Sequence, residues 1–207
     1  MSLSFLLNCN LVSLGTRVLY GSVAATDVYR RAPLTFTTSN PLKNDISFLV
    51  LNDIHGDNIL LDNLLKDTKW DKTDLLFFNG DMTSSIQSES QLFGDFLDKT
   101  IEIFVKETPF YYSRGNHETR GSFATTFPHY FPTPTGQLYY MFKQGPVCFV
   151  VLDCGEDKPD SDLEYSSIVA FDNYRTIQSQ WLEEAVNDPI FQEAPYRVLI
   201  VHMIGRC

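Results

Sequence analysis

ISFLVLNDIHGDNILLDNLLK, residues 46–66, is the stretch on which the fold turns. Ile46, Phe48, Leu49, Val50 and Leu51 make a short apolar run of the kind that a buried strand needs. Asn52 and Asp53 end the run, and Gly56 permits a sharp turn. From Asn58 onward Ile59, Leu60, Leu64 and Leu65 recur at helical spacing. The reading is strand, polar loop, helix.

The same unit recurs downstream. Residues 74–78 predict a second strand and residues 91–105 a helix whose face carries Leu92, Phe96, Ile101 and Val105; residues 110–113 predict a third strand. Strands alternating with helices predict βαβ units and a largely parallel sheet, with functional loops at the carboxyl ends of the strands. The rhythm then changes. Residues 137–143 and 147–152, joined near Gly145-Pro146, read as an antiparallel hairpin, and residues 156–162 as an acidic, proline-containing loop. Residues 176–186 read as a helix with Trp181, and residues 196–201 as a last strand ending at His202. The expected class is α/β.

Upstream of this pattern the chain reads differently. Short β-like pieces at 17–20, 27–30 and 34–37 predict a β-rich appendage over residues 1–40, and the turn-forming Asn40-Pro41-Leu42-Lys43-Asn44-Asp45 marks the boundary to a main domain over residues 41–207. The apolar stretch near the start has no basic segment before it and is interrupted by Asn8 and Asn10, so it does not read as a signal peptide. No run approaches the roughly 18 apolar residues of a membrane-spanning helix.

A formal charge of −10 disfavours non-specific attachment to nucleic acid or anionic lipid, both of which need a positive face. It leaves room for phosphate chemistry if bound cations supply local positive charge. The cysteines Cys9, Cys148, Cys154 and Cys207 form no CxxC pair, so neither a zinc knuckle nor a disulfide framework is expected, and Cys148 reads as a buried free thiol.

Residues able to hold a metal follow each predicted strand: Asp53-Ile54-His55-Gly56-Asp57, then Asn79-Gly80-Asp81, then Gly115-Asn116-His117-Glu118, and finally His202. In extended chain Asp53 and His55 would project to one side and reach one ion. Oxygen and nitrogen donors without thiolate suit manganese, iron or zinc. Each piece alone has a plainer reading. Asp-x-His recurs by chance, Asn79-Gly80 is a hairpin signal, Asn116 suits a left-handed turn, and His202 suits a strand end. Their order, each just past a predicted strand, carries the functional reading.

In that ordered set the sequence resembles the calcineurin-like metallophosphoesterases, whose signature runs DxH, GDxx, GNH[ED], a later His and finally GHxH; the resemblance covers about residues 46–202. It implies a four-layer α/β/β/α sandwich and hydrolysis of phosphate esters by two divalent or trivalent metal ions and a metal-bridging hydroxide. It further implies that Asp53 and His55 hold the first metal, Asp81 bridges both, and Asn116 and His202 serve the second. His117 would be the outer catalytic histidine, and Arg114 and Arg120, flanking GNHE, would be candidates to bind substrate. The front of the chain resembles the end of a fibronectin-like or purple-acid-phosphatase-like domain found in a bacterial branch of the family, which leans towards an exported enzyme.

Two departures matter. No GHxH occurs, and His129 lies in an aromatic loop that suits a structural role, so the catalytic domain is expected to be incomplete at its C-terminus, with weakened or lost metal binding. Ser84 stands where the purple acid phosphatases place a tyrosine, so no purple colour is expected. The competing reading is a non-catalytic binding or scaffold module on the same fold. A dinucleotide-binding protein is disfavoured because no G-x-G-x-x-G follows a strand.

Overall fold

The computed structural model describes Asn40, residues 42–105 and residues 107–204. All of them belong to the compact unit Ser39–Cys207. The β-rich appendage expected over residues 1–40, Asn40 apart, lies outside the described residues.

Phe48–Leu51 (β1), Leu75–Asn79 (β2) and Phe110–Ser113 (β3) pair in parallel in the order β1-β2-β3. Tyr140–Gln144 (β4), Val147–Val151 (β5) and Tyr196–Ile200 (β6) form a second sheet, with β4 antiparallel and β6 parallel to β5. Asn58–Leu65 (α1) follows β1. Glu89–Leu92 (α2), a π-helical turn Phe93–Leu97 and Asp98–Ile103 (α3) lead to β3. Phe127–Tyr130 (α4) precedes the second sheet, and Phe171–Ala185 (α5) and Pro189–Gln192 (α6) connect β5 to β6.

The period-2 alternation of the strands sorts the core into layers. On β2, Leu76 and Phe78 face the helices and pack with Leu61, Leu65, Leu92 and Phe96, while Leu75 and Phe77 face the second sheet and meet Phe149, Val151 and Ile200. Val150 and Leu152 face the opposite way, towards Tyr174, Trp181 and Leu182 of α5. Helices, sheet, sheet and helix give the four-layer α/β/β/α sandwich. Both faces of β2 are buried, which is why its four leading residues are apolar without alternation. Phe77 stands between the sheets with its ring 5.2 Å from Phe149 and 5.6 Å from Tyr111.

Two helices depart from expectation. One position of the predicted face is wrong: Leu92 and Phe96 are buried and Val105 packs against the same core, but Ile101 is 40 % exposed, while Thr100 and Phe104 are buried. The π turn adds a residue to one turn and rotates everything after it. Such a turn disturbs the backbone ladder, and the Asn58 side chain donates to the carbonyl of Gly94 within it at 2.7 Å. α5 begins five residues before the expected start at 176, at Phe171. Its first N–H groups are satisfied by a residue outside it, Asp160, whose carboxylate accepts from Phe171 and Asp172 at 2.9 and 3.1 Å. Cys148 is a buried free thiol, as expected, whereas Cys154 is disulfide-bonded.

Candidate metal centre

The loops after β1, β2 and β3 are tied to one another by the main chain. Asp53 N–H donates to the Gly80 carbonyl at 3.1 Å, His55 N–H to Asp81 at 3.0 Å and Gly56 N–H to Met82 at 2.9 Å. Asp53, His55 and Asp81 all adopt left-handed backbone, with φ of 56°, 52° and 55°. Asp53 and His55 are therefore not in extended chain, and the same-side projection expected of them does not apply. A left-handed non-glycine residue costs roughly 1–2 kcal/mol and is kept where its surroundings hold it. Three such residues in adjoining loops aim their side chains at one place.

That place is Asp81 Oδ2. Nε2 of His202 lies 3.2 Å from it, and Nε2 of His55 and of His117 each lie 3.9 Å from it. Nε2 of His55 is also 3.8 Å from Asp53 Oδ1. The donor atoms fall into two groups that share Asp81: His55, Asp81 and His117, and Asp53, Asp81 and His202, each with its atoms within 4.8 Å of one another. Nitrogen and carboxylate oxygen at these separations, round one shared carboxylate, fit divalent cations of the manganese, iron or zinc kind.

Each imidazole is oriented by an oxygen on its far side, which frees Nε2 for the centre. His202 Nδ1–H donates to the Asn79 carbonyl at 2.7 Å, and His117 Nδ1–H to the Ser84 carbonyl at 2.9 Å; a carbonyl can only accept, so the proton sits on Nδ1 in both. His55 Nδ1 lies 3.3 Å from the Ser84 hydroxyl. The Asn52 amide donates to the Asp53 carboxylate. Burial opposes a charge on His202, but the Asp81 carboxylate outweighs it and pushes the imidazole up to about 9. Burial likewise opposes the Asp81 charge, yet the His202 contact and the His117 N–H hold its carboxyl below the ordinary value. Asp81 and His202 thus already stabilise positive charge between them, where a cation would replace the proton.

Glu118 does the holding from beneath. Wholly buried, it accepts the N–H groups of Asp81 and Gly115 on Oε2, both at 2.9 Å, and on Oε1 the Met82 N–H and the Tyr112 hydroxyl, both at 2.8 Å. One carboxylate therefore fixes the loop of the shared aspartate against the loop of His117. Gly115 makes the close approach possible: a Cβ there would stand 2.2 Å from Asp81 Oδ1 and 2.6 Å from its nitrogen. The sequence reading had Glu118 only as part of the GNHE cluster able to hold a metal; it belongs to neither donor group and acts as this clamp instead.

Asn116 is buried and opens the 3-10 turn His117–Thr119. Asp57 serves as the N-cap of α1, accepting from Ile59 and Leu60 at 3.0 and 2.9 Å. His129 is exposed on α4 and belongs to neither donor group. Arg114 is committed elsewhere. Its Nη2 lies 2.8 Å from Oδ2 of Asp153, a buried carboxylate that also accepts the Tyr174 hydroxyl at 2.8 Å. Arg120 lies beside His117, with Nη1 at 3.2 Å from Nε2.

Residues 46–205 match the family model for calcineurin-like phosphoesterase. The chain belongs to the calcineurin-like phosphoesterase family. That match spans the sandwich and every residue of the centre. Among solved structures the chain is similar to the purple acid phosphatase PPD1 isolated from yellow lupin (Lupinus luteus) seeds, at 14 % identity and a TM-score of 0.49. The similarity covers 81 % of this chain and 32 % of that phosphatase, so this calcineurin-like chain spans about a third of that protein's length. No curated protein matches the sequence. Among the described residues no helix is long and apolar enough to cross a membrane.

Proposed function

We propose that this chain hydrolyses phosphate esters at a dinuclear metal centre built on Asp81. The observation that carries the reading is one carboxylate oxygen faced by three imidazole nitrogens at 3.2–3.9 Å, in a member of the calcineurin-like phosphoesterase family. Asp53, His55, Asp81, Asn116 and His202 would hold two cations, with Asp81 common to both. When bound, such ions neutralise phosphate oxygens and make water a competent nucleophile at neutral pH.

The chain's own groups do the rest. Asp81 and Glu118 fix the spacing of the donors before substrate arrives, so no reorganisation is needed during reaction. His117, its ring set by the Ser84 carbonyl, presents Nε2 to the centre and is the catalytic group that contacts the phosphate: Nε2 first takes up a proton from solvent, and the resulting imidazolium passes that proton to the departing oxygen. The resemblance to an exported branch supports an extracytoplasmic location, and a disulfide at Cys154 is in keeping with it.

Hydrolysis of an aryl phosphate monoester and diester tests the reading, measured with manganese, with chelator, and in Asp81→Asn. Turnover that requires the metal and vanishes in the variant supports it. Metal-independent turnover, or none from a metal-loaded parent, overturns it.

A further inference from the structure

Arg120 is held in an unusual way for a residue at the edge of a site. The Glu156 carboxylate grips it through two parallel bonds, Nε to Oε1 at 3.0 Å and Nη2 to Oε2 at 2.8 Å. Glu156 is itself buried, and the hydroxyls of Thr119 and Tyr165 donate to it at 2.6 and 3.3 Å. The guanidinium side chain remains 37 % exposed. Its remaining nitrogen, Nη1, donates to Nε2 of His117 at 3.2 Å. A guanidinium can only donate, and His117 gives its Nδ1 proton to Ser84, so Nε2 is an acceptor in this arrangement.

We propose that Arg120 binds a non-bridging oxygen of the substrate phosphate, and that Glu156 is its positioning residue. This rests on the phosphoesterase reading above and adds a specific anion-binding group to it. A carboxylate that takes Nε and one edge of the fork leaves Nη1 pointing beside His117, whose Nε2 is 3.9 Å from Asp81 Oδ2. A phosphate oxygen at the centre lies within reach of that N–H. The fork is pre-ordered, so little side-chain entropy is lost when the oxygen binds. Transfer of the Nη1 hydrogen bond from His117 to phosphate leaves Nε2 of His117 free to take up from solvent the proton that it passes to the leaving oxygen. Glu156 lies 36 residues beyond Arg120, so the acidic loop becomes part of the site through this one residue.

The test measures the affinity of inorganic phosphate by calorimetry, alongside manganese affinity and melting temperature, for the parent, Arg120→Lys and Glu156→Gln. Lysine keeps the charge and loses the fork, and glutamine keeps the shape and loses the grip. Both variants should weaken phosphate binding by about tenfold, the worth of one charge-assisted hydrogen bond, with manganese affinity unchanged. Phosphate affinity within twofold of the parent in Arg120→Lys overturns the proposal, as does a parent that binds no phosphate. Arg120→Lys decides alone should Glu156→Gln not fold. Loss of manganese binding in the parent would count against the phosphoesterase reading, while phosphate affinity still decides the role of Arg120.

Discussion

Replacing Glu118 by glutamine removes one oxygen from the group that clamps the Asp81 loop, and the cost follows from the donors around it. On the Oε2 side stand two main-chain N–H groups, Asp81 and Gly115, neither of which can turn away. On the Oε1 side stand the Met82 N–H, the Thr83 N–H farther off at 3.4 Å, and the Tyr112 hydroxyl, and only the hydroxyl can rotate to accept. The new NH2 therefore takes the Oε1 side and strips the Met82 N–H of its partner, at about 1–3 kcal/mol. The bonds that survive fall from charge-assisted to neutral, roughly half as strong. Against this, burial pushes the Glu118 carboxyl up, so the neutral amide recovers part of the loss. The balance is a destabilisation of about 2–3 kcal/mol, or about 4–12 °C in melting temperature for a chain of this size. Thermal unfolding by circular dichroism reads it, and a Glu118→Gln protein melting within 2 °C (about the smallest shift worth 1 kcal/mol) of its parent would refute the clamp.

Gly115→Ala forces a Cβ to within 2.2 Å of Asp81 Oδ1, so the Asp81 loop must shift. It should abolish manganese binding and lower stability by about 3 kcal/mol; calorimetric titration giving the parent's manganese affinity would contradict this. Glu156 is buried, which favours its neutral form, but the Arg120 and Thr119 hydrogen bonds outweigh burial and hold its carboxyl below 4.5. The charge is then favoured more in the folded than in the unfolded chain, and the stability it contributes is present above 4.5 and lost as pH falls through the folded value. Urea midpoints should therefore fall less on acidification in Glu156→Gln than in the parent, and equal losses would remove the argument. With Ser84 in place of a tyrosine, iron-loaded protein should show no strong visible band in its absorption spectrum; an intense purple band would contradict that.

The strands were legible because each is a short apolar run, and β3 matches its expected span, residues 110–113. The centre was legible because Asp53, His55, Asp81, His117 and His202 all follow strand ends. The structure brings all five together. Their mode of convergence was not legible. It depends on left-handed backbone at Asp53, His55 and Asp81, imposed by hydrogen bonds between loops distant in sequence. The π turn escaped for a similar reason: periodicity reads a helix as uniform, and the residues from Thr100 onward rotate with the extra residue. Glu118 and Glu156 act on partners up to 37 residues away, and no local pattern announces such pairings. Arg114 and Arg120 look alike beside GNHE, yet buried Asp153 binds one and Glu156 turns the other towards His117.

The central claim is that Asp81 is shared by two cations, and the number of manganese ions bound per chain at equilibrium dialysis against excess manganese, read by elemental analysis, tests it most directly. The account predicts two in the parent and at most one, weakly held, in Asp81→Asn. Two tightly held ions in Asp81→Asn would contradict it.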